Sequence, residues 1–149
     1  GEWVKSKPLV VNGTETRWRI LGKYDLVSTN EDGTIGLIDC KVSDSQRDSG
    51  QFYSPQLEAY AYSLENPAAG KSQTVASIGL LVWKLATATG TSAEDYGFGV
   101  FQKYVPVERD QANFLKVIGE FIDVLEGELP EPGSECQTCN YLTARNALD

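Results

Sequence analysis

The sequence predicts a mixed α/β domain, a central sheet flanked by helices in the chain order βββαββα. Three observations predict it. Five stretches, at 3–11, 17–27, 34–42, 74–85 and 96–107, alternate or run apolar as strands do. Two more, near 54–66 and 108–126, carry apolar residues at helical spacing. Turn signals punctuate them at Asn12-Gly13, Asn30-Glu31-Asp32-Gly33 and Asn66-Pro67.

The first strand runs from Trp3 to Val11, and Asn12-Gly13 returns the chain as a hairpin into the second, Arg17 to Val27. In that strand Arg19, Leu21, Lys23, Asp25 and Val27 share one face, opposite Trp18, Ile20, Tyr24 and Leu26. The third, Thr34 to Val42, is apolar on both faces and so belongs inside the sheet. A wholly polar loop, Ser43 to Gly50, follows where a loop gating access to a site would be useful. Ser54-Pro55 opens a helix, with Ser54 as N-cap and Leu57, Tyr60, Ala61 and Leu64 as its apolar stripe. After the two later strands, a helix from about Glu108 to Glu126 turns Phe114, Leu115, Ile118, Phe121, Ile122 and Leu125 to the core, and Gly127 caps it.

Composition narrows the chemistry. The chain has 149 residues, the size of one domain, and we take residues 1–149 as a single unit with 130–149 as its cysteine-bearing tail. Histidine is absent, which excludes Ser-His-Asp and Cys-His catalysis and histidine-ligated zinc within this chain. Net charge is −8, against the basic surface expected of a nucleic-acid binder. No apolar run approaches the ~20 residues that cross a bilayer, so no membrane partner is expected. Three irregularly spaced cysteines suit a reducing, cytoplasmic setting better than a secreted disulfide framework. The chain begins with glycine and contains no methionine, so a fragment of a longer protein is expected.

Two carboxylates stand within hydrophobic strands: Asp25, and Asp39 in Ile38-Asp39-Cys40-Lys41. Uncompensated, each costs several kcal/mol, and a divalent cation is a common compensator. Asp39 and Lys41 leave the same strand face. If the strand of Asp25 pairs with that of Asp39, both carboxylates converge with the Cys40 backbone carbonyl on a hard-cation site suited to Mg²⁺ or Mn²⁺. Gln56 and Tyr60, at i and i+4, form one helical face that can lie over it. The plain alternative is a buried Asp–Lys ion pair beside an ordinary helix.

Gly22-x-x-Asp25, Ile38-Asp39-Cys40-Lys41 and Gln56-Leu57-x-x-Tyr60, in that order, resemble the PD-(D/E)xK nuclease superfamily, and within it the RecB-type exonuclease domains, including those of CRISPR spacer acquisition. The resemblance covers nearly the whole chain. It implies a restriction-endonuclease-like core and an exonuclease acting on DNA, at an end or on a single strand, with a helicase or other protein partner or domain. It implies Asp25 and Asp39 as metal ligands, Lys41 as the catalytic lysine, and Gln56 and Tyr60 as supports of the site. Members usually place a helix before the first strand, with a further metal-site residue; nothing here matches it, and Glu2 is no substitute. A catalytically inactive nuclease fold serving as an interaction module is the competing expectation.

Several such proteins hold an iron–sulfur cluster on one upstream cysteine and a C-terminal trio. Cys136-x-x-Cys139-x-Tyr141 resembles the start of that trio, but residues 143–147 supply no third cysteine. A cluster needs four thiolates, so none is expected in this chain. Trp83, Phe98, Phe101 and Tyr104 are expected to pack on the sheet; Phe52 and Tyr53 are better candidates for base stacking, but for them too packing is the expectation.

Overall fold

A computed structural model describes residues 1–43, 50–90, 95–128 and 131–147. Its centre is a four-stranded mixed sheet in the order β5 (Leu26–Thr29), β6 (Ile35–Val42), β7 (Val75–Thr89), β8 (Gly97–Val107). β6 pairs antiparallel with β5 and parallel with β7, and β8 runs antiparallel to β7. As its two-sided apolar sequence predicts, β6 is interior. The parallel crossover from β6 to β7 carries α1 (Ser54–Glu65), which lies on one sheet face.

The two expected N-terminal strands are each broken. The first becomes β1 (Trp3–Lys5) and β2 (Val10–Val11), interrupted around Pro8, which has no N–H to give a ladder. β2 pairs with β3 (Thr14–Glu15) across Asn12 (φ 50°) and Gly13 (φ 78°), the left-handed pair that Asn-Gly favours. The second breaks at Tyr24-Asp25, giving β4 (Leu21–Lys23), paired with β1, and then β5. Asp25 explains the break: its side chain accepts the Cys40 N–H at 2.8 Å, so a carboxylate takes an amide at the point where β5 departs from β6.

Leu57, Ala61 and Leu64 of α1 are buried against Ile35 and Leu37 of β6, Ile78, Leu80 and Val82 of β7, and Val105 and Val107 of β8. Ser54 does not cap this helix. A 3₁₀ turn, Gly50–Tyr53, feeds directly into it, and Tyr53 at φ −93°, ψ 0° is already helical, so no extended residue remains to act as a cap. The expected gating loop lies outside the described residues, apart from Ser43 and Gly50.

A second cluster joins Tyr62 of α1 to Phe114 and Ile122 of α2 (Gln111–Glu126) and to Leu9 near the hairpin. α2 starts later than expected, capped by the Asp110 carboxylate on the Asn113 N–H at 3.0 Å. Phe121 and Leu125 belong to its apolar stripe yet are mostly exposed, because the packing of α2 on α1, β2 and the N-terminal hairpin is centred on Phe114 and Ile122. Gly127 does cap the helix, although in an extended conformation. The tail forms α3 (Gln137–Asn146), which buries no residue and is weakly patterned, and this explains why its sequence does not announce it.

α1 is anchored from behind. Glu58 and Glu65 lie two turns apart on one side, opposite Gln56 and Tyr60. Glu58, only 1% exposed, accepts from Arg109 Nη2 at 3.1 Å and from the Asp110 N–H at 2.7 Å. Arg109 also donates to Glu65 at 2.8 Å and to the Val75 carbonyl at 2.6 Å. Its hydrogen bonds to Glu65 raise the pKa of Arg109 above its ordinary value against the opposing effect of burial, with Glu58 reinforcing them, so this cation persists at any working pH. Removing one partner of such a pair strands the other. Arg109→Ala should therefore lose about 3 kcal/mol of stability, read as a lower urea midpoint at unchanged slope.

Candidate active site

Strand alternation builds the site. Ile35, Leu37, Asp39 and Lys41 follow one another on the α1-facing side of β6, so the row that begins as core ends in two charges. Asp39 is 3% exposed. The β5–β6 register, Leu26 opposite Ile38, would next set Asp25 opposite Asp39, on the same face.

The structure brings all five side chains singled out in the sequence into one connected group. Lys41 Nζ lies 2.7 Å from Asp39 Oδ2 and donates to Gln56 Oε1 at 3.3 Å. Gln56 Nε2 donates to Asp39 Oδ1 at 3.3 Å and to the Tyr60 hydroxyl at 3.0 Å. Asp25 joins through the Cys40 amide. Burial works against the charge of Lys41, but its close charge pairing with Asp39 prevails and raises its pKa, so it is an ammonium at neutral pH.

Two contacts had little signal in the sequence. The Tyr53 ring lies 4.6 Å from Lys41 Nζ, a cation–π contact that assigns Tyr53 to holding the lysine rather than to an open stacking surface. Gly22 is required by close approach, since a Cβ there would meet the Tyr60 ring at 2.6 Å. The expected packing of sheet aromatics fails at Phe101, 70% exposed, because β7 and β8 outrun the helix that would cover them. Tyr104, nearly half exposed on the opposite face, instead lies across Gly79.

The donor set can be tested against a divalent ion. Asp39 Oδ2 is buried and, although Lys41 stands close, its approach does not make a well-angled hydrogen bond, which leaves lone-pair capacity on that oxygen. With Asp25 and the Cys40 carbonyl, which on an extended strand points the same way as the N–H bound by Asp25, the available donors are hard oxygens. Among the described residues no group of three or more His, Cys, Asp or Glu side chains converges. Glu2 is instead held by the Tyr24 hydroxyl at 3.2 Å. This set fits a cation that keeps several waters, such as Mg²⁺ or Mn²⁺, and not a closed zinc site.

Cys136 and Cys139 stand Sγ to Sγ at 3.1 Å at the start of α3, without a third ligand among the described residues.

The chain belongs to the PD-(D/E)XK nuclease superfamily, whose family model it matches over residues 2–144. The superfamily is one of nucleases. No curated protein matches the chain. Among solved structures it is similar to the crystal structure of SSO0001, at 17% identity and a TM-score of 0.49 over 94% of this chain, and it spans 57% of that chain. Among the described residues no helix is long and apolar enough to cross a membrane.

The thiols themselves offer a check on these environments. Burial, followed by the charges of Asp25 and Asp39, pushes the Cys40 pKa up, whereas hydrogen bonds from the Cys139 thiol and backbone N–H lower that of Cys136. Iodoacetamide at neutral pH should therefore alkylate Cys136 well before Cys40, as read by peptide mass mapping over a time course.

Proposed function

We propose that this protein is a Mg²⁺- or Mn²⁺-dependent deoxyribonuclease of the RecB exonuclease type, similar to the CRISPR spacer-acquisition nucleases, which hydrolyses phosphodiester bonds from DNA ends. The observation that carries this reading is the buried Asp39 carboxylate, braced at Oδ1 by Gln56 and paired at Oδ2 with Lys41 at 2.7 Å, where it has no well-angled hydrogen-bond donor. In this reading Asp25, Asp39 and the Cys40 carbonyl hold the metal. Bound there, the ion would supply Lewis-acid stabilisation of phosphoryl charge.

The chain's own residues do the rest. Lys41 presents an ammonium to the charge that develops on the phosphoryl oxygens, the role of a pre-positioned electrostatic donor. Gln56 Oε1 and the Tyr53 ring keep that ammonium in place when Asp39 is shared with a cation. Tyr60 accepts from Gln56 and so fixes the amide that donates to Asp39. We take residues 1–149 as one cytoplasmic domain, with 130–149 as its tail, working beside a helicase or other protein partner. A second reading, an inactive interaction module, is favoured by the net charge of −8 and by the absence of a third converging acid among the described residues.

Two measurements decide between the readings. Calorimetry with Mn²⁺ should show binding by the wild type that is lost in Asp25→Ala/Asp39→Ala; no binding by the wild type would favour the interaction module. Lys41→Ala should lower cleavage of linear DNA by at least about a hundredfold, the scale of losing one electrostatic donor, with Mn²⁺ binding retained. Linear but not circular DNA should be consumed, since an exonuclease needs an end.

A further inference from the structure

Away from the carboxylates, two nucleophilic side chains meet in the tail. Cys136 and Cys139 bracket the first turn of α3, in Cys136-Gln137-Thr138-Cys139. Cys136 is the N-cap residue, with extended backbone at φ −71° and ψ 101°, and its sulfur accepts the Cys139 N–H at 3.4 Å. That contact folds the Cys136 side chain back over the turn, as an N-cap side chain does when it reaches the third helical residue. It brings the two Sγ atoms to 3.1 Å. A disulfide bond is ~2.05 Å long, so closing one here asks for about 1 Å of movement. α3 buries no residue and both cysteines are partly exposed, so no packed core opposes that movement.

The two thiols are unequal. Hydrogen bonds from the Cys139 thiol, the Cys139 N–H and the Thr138 N–H favour the thiolate of Cys136, and the same thiol contact disfavours that of Cys139. A helix N-terminus acts on a cysteine in this direction generally. Cys40 lies on β6 instead, where burial and the charges of Asp25 and Asp39 oppose its thiolate. The tail therefore holds one attacking sulfur and a second within reach of it. Two thiolates are too few for a cluster or a closed zinc site, and among the described residues no third ligand converges with them. A bond to each other needs no third group.

We propose that Cys136 and Cys139 form a redox-active dithiol that exchanges with small-molecule disulfides of the glutathione class and closes to a reversible intramolecular disulfide. The Cys136 thiolate attacks one sulfur of the incoming disulfide, breaking its S–S bond. One half is joined to Cys136 and the other leaves as a thiolate. Cys139 then gives its proton to solvent, and its thiolate attacks Cys136 Sγ, forming the Cys136–Cys139 bond and expelling the second half. Each leaving thiolate takes up a proton from solvent. Two electrons thus pass from the protein to the small disulfide, which becomes two thiols, and the reverse sequence reopens the bridge. This inference is independent of the nuclease reading, since no residue of the carboxylate–lysine site takes part.

The test incubates the full chain with oxidised glutathione in the absence of oxygen and with excess chelator, then quenches in acid and reads intact mass and peptide maps. The wild type should lose one hydrogen from each of Cys136 and Cys139, retain no glutathione, keep Cys40 as a free thiol, and regain both hydrogens with dithiothreitol. Cys139→Ser should stop with one glutathione on Cys136, because the resolving sulfur is gone. Cys136→Ser should take up glutathione at Cys139 more slowly than Cys139→Ser does at Cys136, a difference that mere proximity of two equal thiols would not produce. Circular dichroism confirms folding of each variant. A wild type that stays reduced, that accumulates glutathione on Cys136, or that bridges to Cys40 or to a second chain would overturn the dithiol. Equal rates in the two serine variants would overturn Cys136 as the attacking sulfur.

Discussion

The ion pair between Glu58 and Arg109 fixes the position of everything else that matters in this molecule. A carboxylate 1% exposed is tolerable only with strong compensation, and here a guanidinium and a backbone amide provide it. Because Arg109 also binds Glu65 and the Val75 carbonyl, it ties two turns of α1 to the start of β7 and the entrance of α2. The helix then has little freedom to slide. Its other side presents Gln56 and Tyr60, whose hydrogen bonds to Asp39 and to each other tolerate no shift of an ångström or so. The rigidity of the site is thus created at a distance from it, on the back of the same helix.

One sheet face carries three successive environments. Nearest the β5–β6 turn it is aliphatic and sealed by α1; in the middle it holds Asp39 and Lys41; beyond the helix it is a lysine–phenylalanine ribbon. The alternation of strand residues makes this order unavoidable once the register is set, since a slip of one residue would send Asp39 and Lys41 to the side of Cys40. The Asp25 carboxylate on the Cys40 amide helps to pin that register at the edge where β5 ends. A residue assigned to chemistry therefore also acts as a structural lock.

How far this was legible in the sequence follows from the range of the interactions. Asp39 and Lys41 are two residues apart, and Gln56 and Tyr60 four, so strand and helix periodicity alone place each pair on one face. The Asn12-Gly13 turn needs only its own two residues. Arg109 gave no such sign: its partners lie 51 and 44 residues away, and nothing local marks it as other than a surface arginine before a helix. The breaks at Pro8 and Asp25 were hidden for a related reason, as apolar alternation continues through both while the backbone does not. The exposure of Phe121, Leu125 and Phe101 depends on what covers them, and the stripe or strand that carries each residue is silent about the lengths of its neighbours.

The acidity of the chain is consistent with DNA as substrate once charge is considered locally. Asp25, Asp39 and Lys41 together leave the site with one net negative charge, which by itself repels a phosphate. In the proposed reading a divalent ion reverses that sign, so attraction for the scissile group depends on metal, while attraction for the rest of the strand does not. Net charge is therefore a poor guide to the proposed substrate, and the charge of the site with its metal bound is the better one.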